Sequence, residues 1–174
     1  MKVGIVAPFI FAAGIANATT IDFGMMNAAG DGFNHVQSYD VATTTSYADD
    51  YYFQTSTLMN LDGFLANWLV TTDGIDEVKS DNMTVDFSIW NTATTAWDNM
   101  QTWNVAVGGV INYNSIIDAG SYRLDIAGDV TGHNGSTYAL EGNVSPVPEP
   151  SAIALMLGGV GLVGFMAARR RKNA

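Results

Sequence analysis

Between Thr19 and Asn143 the apolar residues recur at every second position, with no long stretch spaced at three and four. Tyr51 and Phe53 alternate with Tyr52 and Gln54. Phe64, Ala66, Trp68 and Val70 alternate with Leu65, Asn67, Leu69 and Thr71, and Val85, Phe87 and Ile89 with Asp86, Ser88 and Trp90. Further runs follow at Trp103, Val105 and Val107, at Tyr122, Leu124 and Ile126, and at Tyr138, Leu140 and Val144. Period two sends successive side chains to opposite faces of a strand. Clusters of Gly, Asn and Asp bound the runs, and Asp73-Gly74 and Asn134-Gly135 are hairpin signals. Thr is abundant, and no Pro occurs between Thr19 and Ser145. The pattern predicts an all-β domain over residues 19–144, an antiparallel β-sandwich of roughly seven to nine strands. Alternation places Trp68 with Phe64 and Val70 on the core face, and Trp90 on the face opposite Phe87 and Ile89.

The two ends break this pattern. Met1-Lys2, the apolar stretch from Val3 to Ala16, and Ala16-Asn17-Ala18 form a cationic start, an apolar helical core and a small-x-small site. They predict a signal helix over residues 1–18, removed by signal peptidase after Ala18. At the other end, residues 145–150 are expected to form a linker ending in Pro148-Glu149-Pro150. An uncharged apolar run over 151–168 is expected to form a short transmembrane helix, followed by a basic tail over 169–174. The cations Arg169, Arg170, Arg171 and Lys172 would hold that tail on the cytoplasmic side and leave the body outside. The prolines of the linker favour extended chain, the form in which proteases and transpeptidases bind their substrates.

Assigning both ends to targeting changes the charge of what remains. Only Lys79 and Arg123 of the basic residues stay with the body, against seventeen acids between Asp22 and Glu149, for a net charge near −15. Such a body repels phosphate backbones and anionic lipid surfaces, which excludes nucleic acid as a partner. The chain has no cysteine, so no disulfide stabilises it and no thiolate chemistry is open to it.

The order of Pro148-Glu149-Pro150, apolar helix and Arg-rich end resembles the PEP-CTERM sorting signal of Gram-negative bacteria. The resemblance implies processing by an exosortase, a membrane-embedded cysteine transpeptidase-like enzyme, near Val147, Pro148, Glu149 and Pro150. Arg169, Arg170 and Arg171 complete the recognition signal. It also implies a membrane-anchored precursor and a mature form at the cell surface or outside the cell, in systems associated with exopolysaccharide and biofilm. An uncut anchor is the alternative.

Within the body, Tyr47-Ala48-Asp49-Asp50-Tyr51-Tyr52-Phe53 fits an aromatic-x-Asp-x-aromatic-x-Phe pattern. Gly120-Ser121-Tyr122 and Gly135-Ser136-Thr137-Tyr138 mark a late hairpin. These segments are similar to the FxDxF-type subfamily of PEP-CTERM proteins, with Tyr47 where Phe is usual. They are similar also to bacterial pre-peptidase C-terminal domains, which implies a jelly-roll-like sandwich.

His35 and His133 both fall in turn-like sequence without a hydrolase motif around them, so no catalytic residue is assigned and the expected role is non-enzymatic. A secreted hydrolase, or a carbohydrate- or calcium-binding module attached to one, is the alternative. For calcium, which takes six to eight oxygen ligands, the candidates are Asp73, Asp76 and Glu77 around one turn, or Asp125 and Asp129 with Asn134 near the last hairpin. For carbohydrate, and exopolysaccharide in particular, the candidates are the rings of Trp90 on the outer face and Trp97 in the Thr-rich turn.

Overall fold

The computed structural model describes residues 16–147 and 150–172. The expected signal helix therefore lies outside the described residues, apart from its last positions. Twelve strands are described: β1 (Ala16–Asn17), β2 (Thr20–Met25), β3 (Gly32–Tyr39), β4 (Ser46–Thr55), β5 (Met59–Asn67), β6 (Val70–Thr72), β7 (Ile75–Val78), β8 (Ser80–Asn91), β9 (Ala96–Val105), β10 (Val110–Ile117), β11 (Gly120–Val130) and β12 (Ser136–Pro146). One helix follows, α1 (Pro150–Lys172).

A six-stranded sheet runs β1-β4-β11-β8-β9, with β2 also beside β4; a four-stranded sheet runs β10-β5-β12-β3; and β6 pairs with β7 alone. Pairing is antiparallel except where β1 and β2 meet β4 in parallel. The two larger sheets enclose one core, as a sandwich does. The β6–β7 turn holds Asp73 and Gly74 both at positive φ, 51° and 79°, which is the backbone an Asp-Gly hairpin turn adopts.

Strand β4 shows most directly how the sequence builds the core. Tyr47, Asp49, Tyr51, Phe53 and Thr55 are all buried, so every second residue of the aromatic-x-Asp pattern points inward. Their rings stack into a continuous aromatic layer. Tyr39 lies on Tyr47 with centroids 4.7 Å apart, Tyr47 on Tyr138 at 5.6 Å, and Phe53 on Tyr122 at 5.2 Å. Planar pairs of this kind add a little beyond their buried area. Two glycines make room for rings: a Cβ on Gly142 would come within 2.3 Å of Phe33, and one on Gly128 within 2.5 Å of the Tyr47 hydroxyl.

Three expectations need correction. On β5 the core face carries Met59, Leu61 and Leu65, not Phe64 and Trp68, which are 37% and 47% exposed. That segment is apolar on both faces, so alternation alone left its phase open; Met59 and Leu61 set it. Secondly, Ser145 and Pro146 are the last residues of β12, opposite Asn60 and Met59, and not the start of a linker. Pro is tolerated at such a strand end, where no ladder bond from its nitrogen is needed. Thirdly, the tail is helical, but among the described residues no helix is long and apolar enough to cross a membrane. Helix α1 runs over 23 residues, with Gly158, Gly159, Gly161 and Gly164 in its middle.

Candidate functional site

The outer face of the larger sheet is built by the residues that alternate with its core. Cross-strand register sets Asp50 of β4 beside Asp125 of β11, and Asp125 beside Asp86 of β8. One row along, Tyr52 stands opposite Arg123 and Arg123 opposite Ser88. Trp90 and Trp97 face each other across β8 and β9. Carboxylates, a guanidinium and three aromatic rings thus share one surface.

Trp97 is the hub of this surface. Its ring meets Trp90 edge-on at 5.3 Å and Tyr52 at 5.7 Å, and the Arg123 guanidinium carbon lies 5.0 Å from its centroid. A cation over an indole is attracted by the ring's negative face. Ser88, on the intervening strand, is buried and small, which leaves space for Trp97 to lean toward β11. Both Trp90 and Trp97 remain half-buried, so each keeps surface in contact with solvent.

Electrostatics couple the acids to this cluster. Arg123 pairs with Asp125 at 2.6 Å. Burial nevertheless pushes the Asp125 carboxyl up to about 8, helped by its hydrogen bond to Asp50 and opposed by Arg123. Two adjacent carboxyls that share a hydrogen bond hold one proton between them near neutral pH. Burial also raises the Tyr52 hydroxyl, so that it stays protonated beside Asp50. Asp86 accepts from Asn99 at 3.0 Å and from Thr102.

The two sugar-binding candidates, Trp90 and Trp97, are brought together, and Trp97 lies in β9 rather than in the turn before it. Tyr52 and Arg123, which complete the cluster, were not singled out from sequence. Their alternation with the buried Tyr51, Phe53 and Tyr122 and the half-buried Leu124 carried the signal. The exposed ring of Trp68 lies just beyond β5, on the other sheet.

The calcium candidates are spread apart. Asp73 occupies the β6–β7 turn, Asp76 faces Lys79 at 3.5 Å and Thr71 at 3.1 Å, and Glu77 accepts from Asn134. Asp129 accepts from Asn82 at 2.7 Å, while Asp125 belongs to the outer-face cluster. Among the described residues no group of three or more His, Cys, Asp and Glu is gathered where a metal ion could be held. His35, expected in a turn, lies within β3, 3.0 Å from Gln37 and beside the ring of Tyr51; His133 is exposed in the β11–β12 turn.

A second polar cluster is buried in the core. Asp49 is 1% exposed, and its carboxylate accepts from the hydroxyls of Tyr39 and Tyr138 and from the Thr19 amide at 2.8 Å. Tyr51 and Tyr138 share a hydrogen bond of 2.7 Å between their hydroxyls. Burial, reinforced by the Asp49 charge, holds the hydroxyls of Tyr39 and Tyr138 far above the ordinary phenol range, so they remain donors.

Of the sorting-signal residues, Val147 follows β12 directly, with its amide 3.3 Å from the Leu58 carbonyl, and Pro150 opens α1. Pro148 and Glu149 lie outside the described residues, as do the side chains of Arg169, Arg170 and Arg171. Ala16 belongs to β1, and Ala18 is exposed between β1 and β2.

The family model for the PEP-CTERM protein-sorting motif matches residues 146–172. The chain thus carries the sorting signal of an exported protein, directly behind the last strand of a β-sandwich. Among solved structures the chain is similar to the pre-peptidase C-terminal domain of a collagenase from Bacillus anthracis, at 18% identity over 75% of this chain and 99% of that one, with a TM-score of 0.43. It is similar also to a periplasmic inhibitor of g-type lysozyme from Aeromonas hydrophila, at 8% identity over 74% of this chain and 100% of that one, TM-score 0.39. A third is the mitogen derived from Yersinia pseudotuberculosis, at 11% identity over 69% and 94%, TM-score 0.30. No curated protein matches the chain.

Proposed function

We propose that the chain is delivered to the surface or extracellular matrix of a Gram-negative cell, where its acidic sandwich has a binding role without catalysis. The observation that carries the delivery half is the sorting motif over 146–172, which begins at the last residue of β12. Exposed apolar side chains on α1, such as Leu155 at 77%, suit a segment held at a membrane until an exosortase removes it. The precursor is accordingly membrane-anchored, and the mature form is released outward.

For the binding half, the ligand class is exopolysaccharide, taken up by the outer-face cluster of Tyr52, Trp90 and Trp97. Indole rings offer flat apolar faces to sugars, while the half-buried Asp50 and Asp125 offer hydrogen-bonding partners to hydroxyls and buried Arg123 backs the Trp97 ring. One face of Trp97 is occupied by Arg123, which leaves Trp90 as the more open ring. The closeness of Asp50 and Asp125 favours this reading over a glycosidase, whose opposed carboxyls stand about 5 to 9 Å apart around the scissile bond.

Replacing Pro148, Glu149 and Pro150 together by alanine tests the delivery. The expected result is a full-length chain that accumulates in the membrane fraction. Unchanged appearance of the body outside the cell would overturn it.

A further inference from the structure

Asp49 is a buried carboxylate whose donors are all neutral: the phenols of Tyr39 and Tyr138 on one oxygen, and the Thr19 amide on the other. A carboxylate this deep in an aromatic layer is costly to keep ionised without a cation beside it. The ion pairs described elsewhere in the sandwich join Lys79 to Asp76 and Asp81, and Arg123 to Asp125. Arg123 stands on the outer face of the sheet, opposite to the face from which Asp49 projects.

The position of Thr19 bears on this. Its nitrogen lies 2.8 Å from Asp49 Oδ1, and its carbonyl accepts from the Asp50 amide at 2.8 Å, so the residue is fixed on both sides of its Cα. The two residues before it, Asn17 and Ala18, are exposed. The Ala18–Thr19 bond is therefore placed where an enzyme can reach it, while the nitrogen it would release already points at the buried carboxylate.

We infer that cleavage after Ala18 converts the Thr19 amide into an ammonium group that pairs with buried Asp49 and locks the mature sandwich. The inference rests on the expectation that the signal peptide is cut at that bond. Hydrolysis breaks the C–N bond, water's oxygen goes to the Ala18 carboxylate, and the amine takes up a proton to become –NH3+. The group gains charge and two further hydrogens without having to move. The precursor, holding only an amide there, is the less stable form, which suits a chain that must cross a membrane unfolded.

The titratable groups gathered about Asp49, and so near the new ammonium, are Tyr39 from β3, Tyr138 from β12 and Tyr47 and Tyr51 from β4; Asp50, next along β4, projects to the outer face. Asp49 raises the amine's pKa above the ordinary value of about 8, and the phenols stay neutral. The latch is then fully present below about pH 8 and is lost as pH rises through the raised value.

The test compares three chains ending at residue 174 in detergent: one beginning with a free Thr19, one with acetylated Thr19, and one that retains Ala18. Acetyl-Thr19 keeps the N–H donor and removes only the charge. The expected results are an α-amine pKa, read by nitrogen NMR, at least about one unit above 8, and melting roughly 3 °C or more above the other two chains. In an Asp49→Asn background the free and acetylated chains should melt alike; where that variant does not fold, the amine pKa of the parent chain decides. An ordinary amine pKa, or equal melting of free and acetylated chains, overturns the latch. N-terminal sequencing of the exported protein separately tests the cut itself, since a first residue other than Thr19 removes the cleavage reading while leaving the physical chemistry of the pair measured.

Discussion

The hydroxyl of Tyr138 on β12 donates to the carboxylate of Asp49 on β4, 89 residues away in the chain, and so joins the two sheets through the core. Tyr39 on β3 makes the same kind of bond from the strand beside it. A polar tie of this type specifies which faces meet, because any slip in register would strand the carboxylate among rings. Tyr138→Phe is expected to cost about 2 kcal/mol, the range for a hydrogen bond to a charged group, with the ring still packed against Tyr47. Urea unfolding should show the midpoint fall with the slope unchanged. An unaltered midpoint would mean that the tie contributes nothing.

The pair of Asp50 and Asp125 gives the sandwich a pH dependence of unusual sign. Asp125 in the folded state titrates near 8, well above an unfolded aspartate, so the folded protein holds the extra proton between about pH 4 and 8. Stability therefore falls as pH rises through that window, because deprotonating the buried carboxyl is resisted. Asp125→Asn keeps the shape and removes the titration. Measured against the parent chain by urea midpoint, the variant should gain by about 1 kcal/mol or more on going from pH 5 to pH 9, after discounting for partial solvation of the pair. A difference that does not change with pH would place the proton elsewhere.

Ligand binding through the outer-face rings is open to a direct comparison. Retention of the purified body on the producer's own polysaccharide should fall at least about fivefold for Trp90→Ala and for Trp97→Ala, the loss typical of an aromatic anchor. Trp68→Ala, on the other sheet, should leave retention as it was. Equal retention for all three would assign the Trp90–Trp97 pair a packing role.

Calcium should leave the melting temperature within about a degree at millimolar concentration. Asp76 is engaged by Lys79, Glu77 by Asn134 and Asp125 by Arg123, so binding would have to displace existing partners. A saturable rise of several degrees, reversed by chelator, would reveal a site of the kind that stabilises by mass action.

The sandwich was legible because its strands carry one apolar and one polar face. In β4, β8, β11 and β12 the alternation marks Tyr51, Phe53, Val85, Phe87, Tyr122, Ile126, Tyr138, Leu140 and Val144, all buried, while Ile89 and Leu124 are half-buried and Ser88 and Arg123 are buried on the opposite parity. It failed on β5 for Phe64, which is as apolar as Leu61 and Leu65, so that only the whole sheet fixes the phase. Strands β2, β3 and β10 escaped notice; in β3 and β10 the apolar Val36, Val110 and Ile116 stand on the exposed face, and in β3 the polar His35 and Gln37 stand on the more buried one, which obscures the period. The outer-face cluster was half visible. Trp90 and Trp97 stand out as rings in polar surroundings, whereas the leaning of Trp97 over Ser88 toward Arg123 depends on three strands meeting. Asp49 was visible as part of a pattern, but its role depends on hydroxyls from β3 and β12.

The delivery account is tested most directly by the intact mass of the mature protein, taken from cells with and without a working exosortase. With the enzyme, the mass should correspond to a chain that starts at Thr19 and ends near Pro148–Pro150. Without it, the mass should include the helix and the basic tail. A mass that retains residues 151–174 in both would contradict the account.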